Sequence, residues 1–121
     1  MVKQNMQKDC PASVPKSTAV LPNYKLVING WSRQWRGGTA SLQRFTGGKV
    51  PGAVYEVTEE CLRKLDRLQP GYERLNVTVF DEDGTPTGAA THVHAGQLQQ
   101  SQPSSDYAAA MRQGYKEWGI A

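Results

Sequence analysis

The stretch VPGAVYEVTEECLRKLDRLQPGYERLNVTVF, residues Val50 to Phe80, decides the fold. It reads as strand, helix, tight break and strand. Gly52 to Val57 is short and apolar-rich, with Ala53, Tyr55 and Val57 on one face and Val54 on the other. Thr58 is a good helix N-cap, and Glu59 and Glu60 follow where the helix dipole favours anions. Arg63, Lys64 and Arg67 fall in the later turns, where cations are favoured. Leu62, Leu65 and Leu68 form an apolar stripe, and the spacing places Gln69 on it. Pro70 and Gly71 then stop the helix. A polar side chain is thus delivered inward at a helix end, beside a turn.

Working outward, Leu75, Val77 and Val79 mark one face of a strand that ends at the Asp-Gly hairpin turn Asp81 to Gly84. Those acidic residues lack the spaced oxygen ligands and distal Glu of a calcium loop, so a solvated turn is expected. The returning strand runs from Thr87 to His94, with His92 and His94 on one face. Two histidines without a third ligand at metal spacing give no zinc site. On the other side, Pro22 breaks to a strand at Tyr24–Asn29, and Thr39–Phe45 alternates as another. Gly47-Gly48 reads as a turn into the organising segment. Between those strands, Trp31 to Arg36 holds two tryptophans and two arginines. Such a loop suits single-stranded nucleic acid. The plainer expectation is that Trp31 and Trp35 cover the open end of a small barrel.

Near the C-terminus Ser104 is an N-cap, and Tyr107, Met111, Gly114, Tyr115 and Trp118 share one helical face that Gly119 ends. Met1 to Pro22 shows no sustained period. A chain of 121 residues suits one domain spanning residues 1–121 with a modest core. Periodicity alone gives an α+β fold with about five or six short strands and two main helices. A net charge of +3 does not specify nucleic acid. No apolar run approaches membrane-spanning length and the start is polar, so neither a membrane span nor a signal peptide is expected. Cys10 and Cys61 make neither a disulfide framework nor a zinc pattern, so both are expected reduced, in a cytoplasm.

The segment PGAVYEVTEECLRKLDRLQPGY resembles the centre of the gamma-glutamylcyclotransferase-like family, which reads hydrophobic-x-G-x-V-Y-E-(I/L/V)-T and then a helix ending L-D-x-x-E-G. Three further pieces agree in order. Asn5-Met6 and Cys10-Pro11 match a shortened form of the family opening Y-G-S-N-(M/L)…C-P. Gly30 to Ala40 is similar to G-x-S-x-x-W-x-G-G-x-A, and PSSDYAAAMRQGYKEWGI is similar to the closing P-S-x-x-Y, helix, G-(L/I). The resemblance implies a small mixed β-barrel with helices packed outside and a pocket at one mouth. It implies release of 5-oxoproline from gamma-glutamyl amines or peptides, without a cofactor. Gln69 then stands where the family carries its catalytic Glu. Gln4 and Asn5 fall in the opening loop, and Tyr72, His92 and Tyr107 line the pocket, His92 at a position the family usually gives to tyrosine.

A glutamine amide has no accessible pKa near neutral pH and cannot carry a proton as a carboxylate does. Impaired release of 5-oxoproline is therefore expected. The alternative is a non-catalytic small-molecule binding domain, with nucleic-acid binding through Trp31–Arg36 behind both. The resemblance further implies that the shortened start leaves a strand edge uncovered, for which a homodimer is the expected compensation.

Overall fold

The computed structural model describes residues 3–69, 71–96 and 99–120. Helix α1 (Lys3–Asp9) leads into strands β1 (Val14–Ser32) and β2 (Gly37–Glu56). Helix α2 (Glu59–Leu68), strands β3 (Tyr72–Phe80) and β4 (Pro86–His94) and helix α3 (Ser105–Trp118) follow. The strands form one sheet in the order β2-β1-β3-β4, every described pairing antiparallel. The α+β class holds, with three helices and four strands. The expected mixed barrel of five or six strands is corrected to an antiparallel, unclosed sheet.

The strand count fell because Pro22 and Gly47-Gly48 bend strands rather than end them. Tyr24–Asn29 lies inside β1, Thr39–Phe45 lies inside β2, and the expected strand Gly52–Val57 is the end of β2 as far as Glu56. A straight 20-residue strand would reach ~65 Å at ~3.3 Å per residue. A globular chain of this length has a radius of gyration of only about 14 Å, so the ribbon has to fold over. It does so where Asn23 faces the four residues Phe45–Gly48, between the pairs Pro22↔Lys49 and Tyr24↔Arg44. Asn23 takes φ 64°, and its side-chain oxygen accepts from Gly47 N–H at 3.1 Å. Asparagine tolerates that left-handed backbone by bonding locally.

The two hairpins meet narrowly, at Val20↔Phe80. Far from that contact the sheet curls until β4 approaches β2 through side chains. His94 N–H donates to Ser41 Oγ at 2.9 Å, and His94 Nε2 lies 3.0 Å from Thr39 Oγ1. Between the hairpins lies a trough of about 1120 Å³, walled by Leu42 and Val54 on one side and by Val77 and Val79 on the other. Every residue from Val50 to Val57 and from Thr87 to His92 borders it. Neighbouring side chains on a strand point to opposite faces, so an unbroken run of lining residues means that the trough lies along the strand edges.

Caps set the helices. Thr58 Oγ1 accepts from Cys61 N–H at 3.1 Å, and Ser104 Oγ accepts from Tyr107 N–H at 3.2 Å. Gly119 closes α3 in the left-handed region at φ 67°. No described helix is long and apolar enough to cross a membrane. Gly37 and Gly38 let the segment before α3 press against β2. A Cβ on Gly38 would stand 2.2 Å from Ser101 Oγ, and its N–H donates to Gln102 O at 2.8 Å.

Cys10 and Cys61 form a disulfide, which corrects the expectation of two reduced thiols and removes the argument for a reducing compartment. Both are buried, at 3% and 7% exposure. Helix α1 buries no residue of its own, and a seven-residue helix is not stable alone. The bond from Cys10 to α2 is therefore its main tether. For a sequence separation of 51, chain entropy puts the stabilisation at about 4 kcal/mol, and native disulfides typically give ~2–5. Reduction, or Cys61→Ser, is expected to lower the unfolding free energy by ~2–4 kcal/mol in urea denaturation. An unchanged midpoint would show that α1 is held by other contacts.

Candidate active site

The described helices converge on a cleft of about 260 Å³ lined by Asn5 and Asp9 of α1, Leu65 and Gln69 at the end of α2, and Tyr107 of α3. Trp35 from the β1–β2 loop forms a further wall. Gln69 is the residue after α2, at φ −122° and ψ 69°, and its carbonyl accepts from Tyr72 N–H at 3.1 Å. The helix thus turns straight into β3, and Gln69 is fixed by its backbone while its side chain borders the cleft.

Ala40 of β2 is the point to which two tyrosines are pinned. Tyr107 Oη accepts from Ala40 N–H at 2.8 Å, and Tyr72 O–H reaches Ala40 O at 3.2 Å. Tyr72 Oη also lies 2.6 Å from Thr39 Oγ1, and its ring centroid sits 4.2 Å from that of His94. Tyr107 meets Trp35 edge-to-face at 5.1 Å. Burial pushes both phenols above their usual pKa, so each stays protonated at neutral pH. Tyr107 and Met111 border both the cleft and the trough, and so form the wall between them.

The sequence-derived candidates separate. Gln69, Asn5 and Tyr107 share the cleft. Gln4 is exposed on α1 and borders neither cavity. Tyr72 is committed to Thr39 and Ala40. His92 borders the trough and turns to α2, where its Nε2 lies 2.7 Å from Asp66 Oδ1. His94 is half-buried between Thr39 and Asn29, and burial lowers its pKa. Trp31 covers nothing, being 71% exposed, whereas Trp35 packs on Tyr107. Glu56 is exposed and pairs with Lys16 at 2.9 Å, away from the cleft.

Sequence reasoning missed Asp9, a half-buried carboxylate bordering the same cleft as Gln69. Its one available signal was its neighbour Cys10, whose partner Cys61 lies in α2. Asp66 was missed too. It takes Arg74 by two bonds, Nη2 to Oδ2 at 2.5 Å and Nε to Oδ1 at 3.3 Å, while also holding His92. Glu59 adds a looser contact to Arg74 at 3.7 Å. Three turns of α2 are thereby fastened to β3 and β4.

The Arg74 guanidinium, followed by the His92 ring, holds the Asp66 carboxyl well below the usual carboxylate range, at about 2. A depressed carboxylate pKa stabilises the fold above the unfolded value of ~3.9, and that stability is lost as pH falls toward the folded value. Stability measured by denaturation is thus expected to drop between pH ~4 and ~2. Asp66→Asn should flatten that drop and weaken the protein at pH 7. An identical pH profile in the variant would contradict this role.

Comparison with known proteins is consistent with this architecture. The family model described as gamma-glutamyl cyclotransferase, AIG2-like matches residues 2–112. A solved structure titled gamma-glutamyl cyclotransferase superposes with a TM-score of 0.93 at 23% identity, over 98% of this chain and 75% of its own. An uncharacterized protein from Homo sapiens gives 0.92 at 23% identity with the same coverage. An allophanate hydrolase from Kluyveromyces lactis gives 0.58 at 15% identity, over 91% of this chain and 19% of its own. No curated protein matches the sequence. With the family model covering almost all of its length, the chain belongs to the gamma-glutamyl cyclotransferase, AIG2-like family.

Proposed function

We propose that the cleft at the end of α2 holds a gamma-glutamyl amine or peptide and turns it over poorly. The observation that carries this reading is Gln69, bordering a cleft with Asn5 and Tyr107 at the position where the family motif has Glu. In the family reaction the free α-amine attacks the γ-carbonyl, an amine leaves, and 5-oxoproline remains. One carboxylate takes the proton from the attacking amine and returns one to the leaving group. A glutamine amide hydrogen-bonds the substrate but exchanges no proton near neutral pH. The opening loop is the second weakness. Lys3 and Gln4 stand within α1, where the family motif has a glycine-containing loop whose N–H groups would meet a developing oxyanion.

The companion reading is a binding domain that has kept the site and lost the chemistry. Gln69→Glu separates the two. Release of 5-oxoproline from a panel of gamma-glutamyl amines is expected below ~1 per second for the natural chain. Restoring the carboxylate should raise it by ~10²–10⁴-fold. Natural turnover at ordinary enzyme rates would overturn the reading, and no gain from Gln69→Glu would put the defect in the opening loop.

The reading extends to one domain over residues 1–121 and a homodimer. The dimer is suggested by the unpaired edges of β2 and β4 along the trough, which would template pairing with another chain.

A further inference from the structure

We infer that the cleft recognises its ligand by an ammonium group, and that Asp9 is the anchor. This deepens the reading above by naming which end of a gamma-glutamyl compound the cleft holds, and it rests on that reading only for the rest of the ligand. Among the described residues bordering the cleft, Asp9 alone carries a formal charge. Asn5 and Gln69 offer neutral amides, Trp35 and Tyr107 offer rings, and the remaining lining is apolar. A ligand carboxylate would find no lysine or arginine there. A protonated amine would find a carboxylate beside aromatic surface, the pairing that favours cations. Helix α2 ends at the same place with Gln69, and a helix C-terminus carries partial negative charge. The nearby cation Lys3 is engaged elsewhere, its Nζ 4.7 Å over the Trp118 ring.

Asp9 is also held where it is. It is the last residue of α1, and the next residue, Cys10, is bonded to Cys61 of α2. The carboxylate therefore stays on the cleft wall although α1 buries no residue of its own. The chemistry agrees with slow turnover: an α-amine kept as ammonium has no lone pair for attack on the γ-carbonyl. Asp9 is a binding group, and the proposal asks no bond to form or break.

The test is calorimetric titration at pH 7 with three probes: γ-L-glutamyl-propylamide, its N-acetyl derivative and propylammonium chloride. The natural chain should bind the first at least ~10-fold more tightly than the second, which lacks the ammonium. Asp9→Asn should lose a similar factor, and Asp9→Glu should recover part of it. Circular dichroism confirms that each variant is folded. Equal affinity for the acetylated probe, or unchanged binding in a folded Asp9→Asn variant, overturns the inference. If propylammonium binds in an Asp9-dependent way while γ-L-glutamyl-propylamide does not, the ammonium site stands and the gamma-glutamyl reading falls. Binding of none of the three overturns both.

Discussion

The grip of Asp66 on Arg74 and His92 ties helix to sheet and sets the rest of the site. Asp66 lies in the last turn of α2, Arg74 on β3 and His92 on β4, so one carboxylate fastens the helix across two strands. Exposed ion pairs are usually worth little, because water screens them and ordering two side chains costs entropy. This cluster differs in geometry. Two bonds come from one planar guanidinium, and the His92 side chain is only 10% exposed. Gln69 follows three residues later, and its carbonyl accepts from Tyr72 N–H as the chain enters β3. The position of Gln69 is thus set from both sides, by the cluster before it and the strand after it.

The opposite wall depends on Ala40. Its N–H and C=O meet Tyr107 and Tyr72, so a single residue of β2 fixes a side chain from α3 and another from β3. A buried N–H costs ~1–3 kcal/mol if left unpaired, which makes these bonds costly to lose. They also commit the tyrosine hydroxyls to structure. The polar and aromatic residues that border the cleft are Asn5, Asp9, Trp35, Gln69 and Tyr107.

How much could be read beforehand follows from how local each feature is. Thr58, Ser104 and Gly119 announce the helix ends because capping is decided within a few residues, and each caps as expected. The hairpin at Asp81–Gly84 is equally local, with Asp81 Oδ1 accepting from Asp83 and Thr85 N–H. The long strands were not legible, because proline and paired glycines look the same whether a strand ends or bends. The bend at Asn23 exists only once β2 lies opposite it. The Cys10–Cys61 bond joins residues 51 apart, and spacing alone does not reveal such a pairing. His92 was placed on the right strand, yet whether it faces the cleft or Asp66 depends on how α2 crosses the sheet.

The most direct test of the site as a whole is the side-chain amide signal of Gln69, followed by ¹⁵N NMR while γ-L-glutamyl-propylamide is added. The account predicts a saturable shift of that signal, together with the backbone amides of Asn5, Asp9 and Tyr107, while those of Asp81–Thr85 stay still. A Gln69 amide that does not move, with shifts gathered along the β2 and β4 edges of the trough instead, would place the ligand elsewhere and contradict the account.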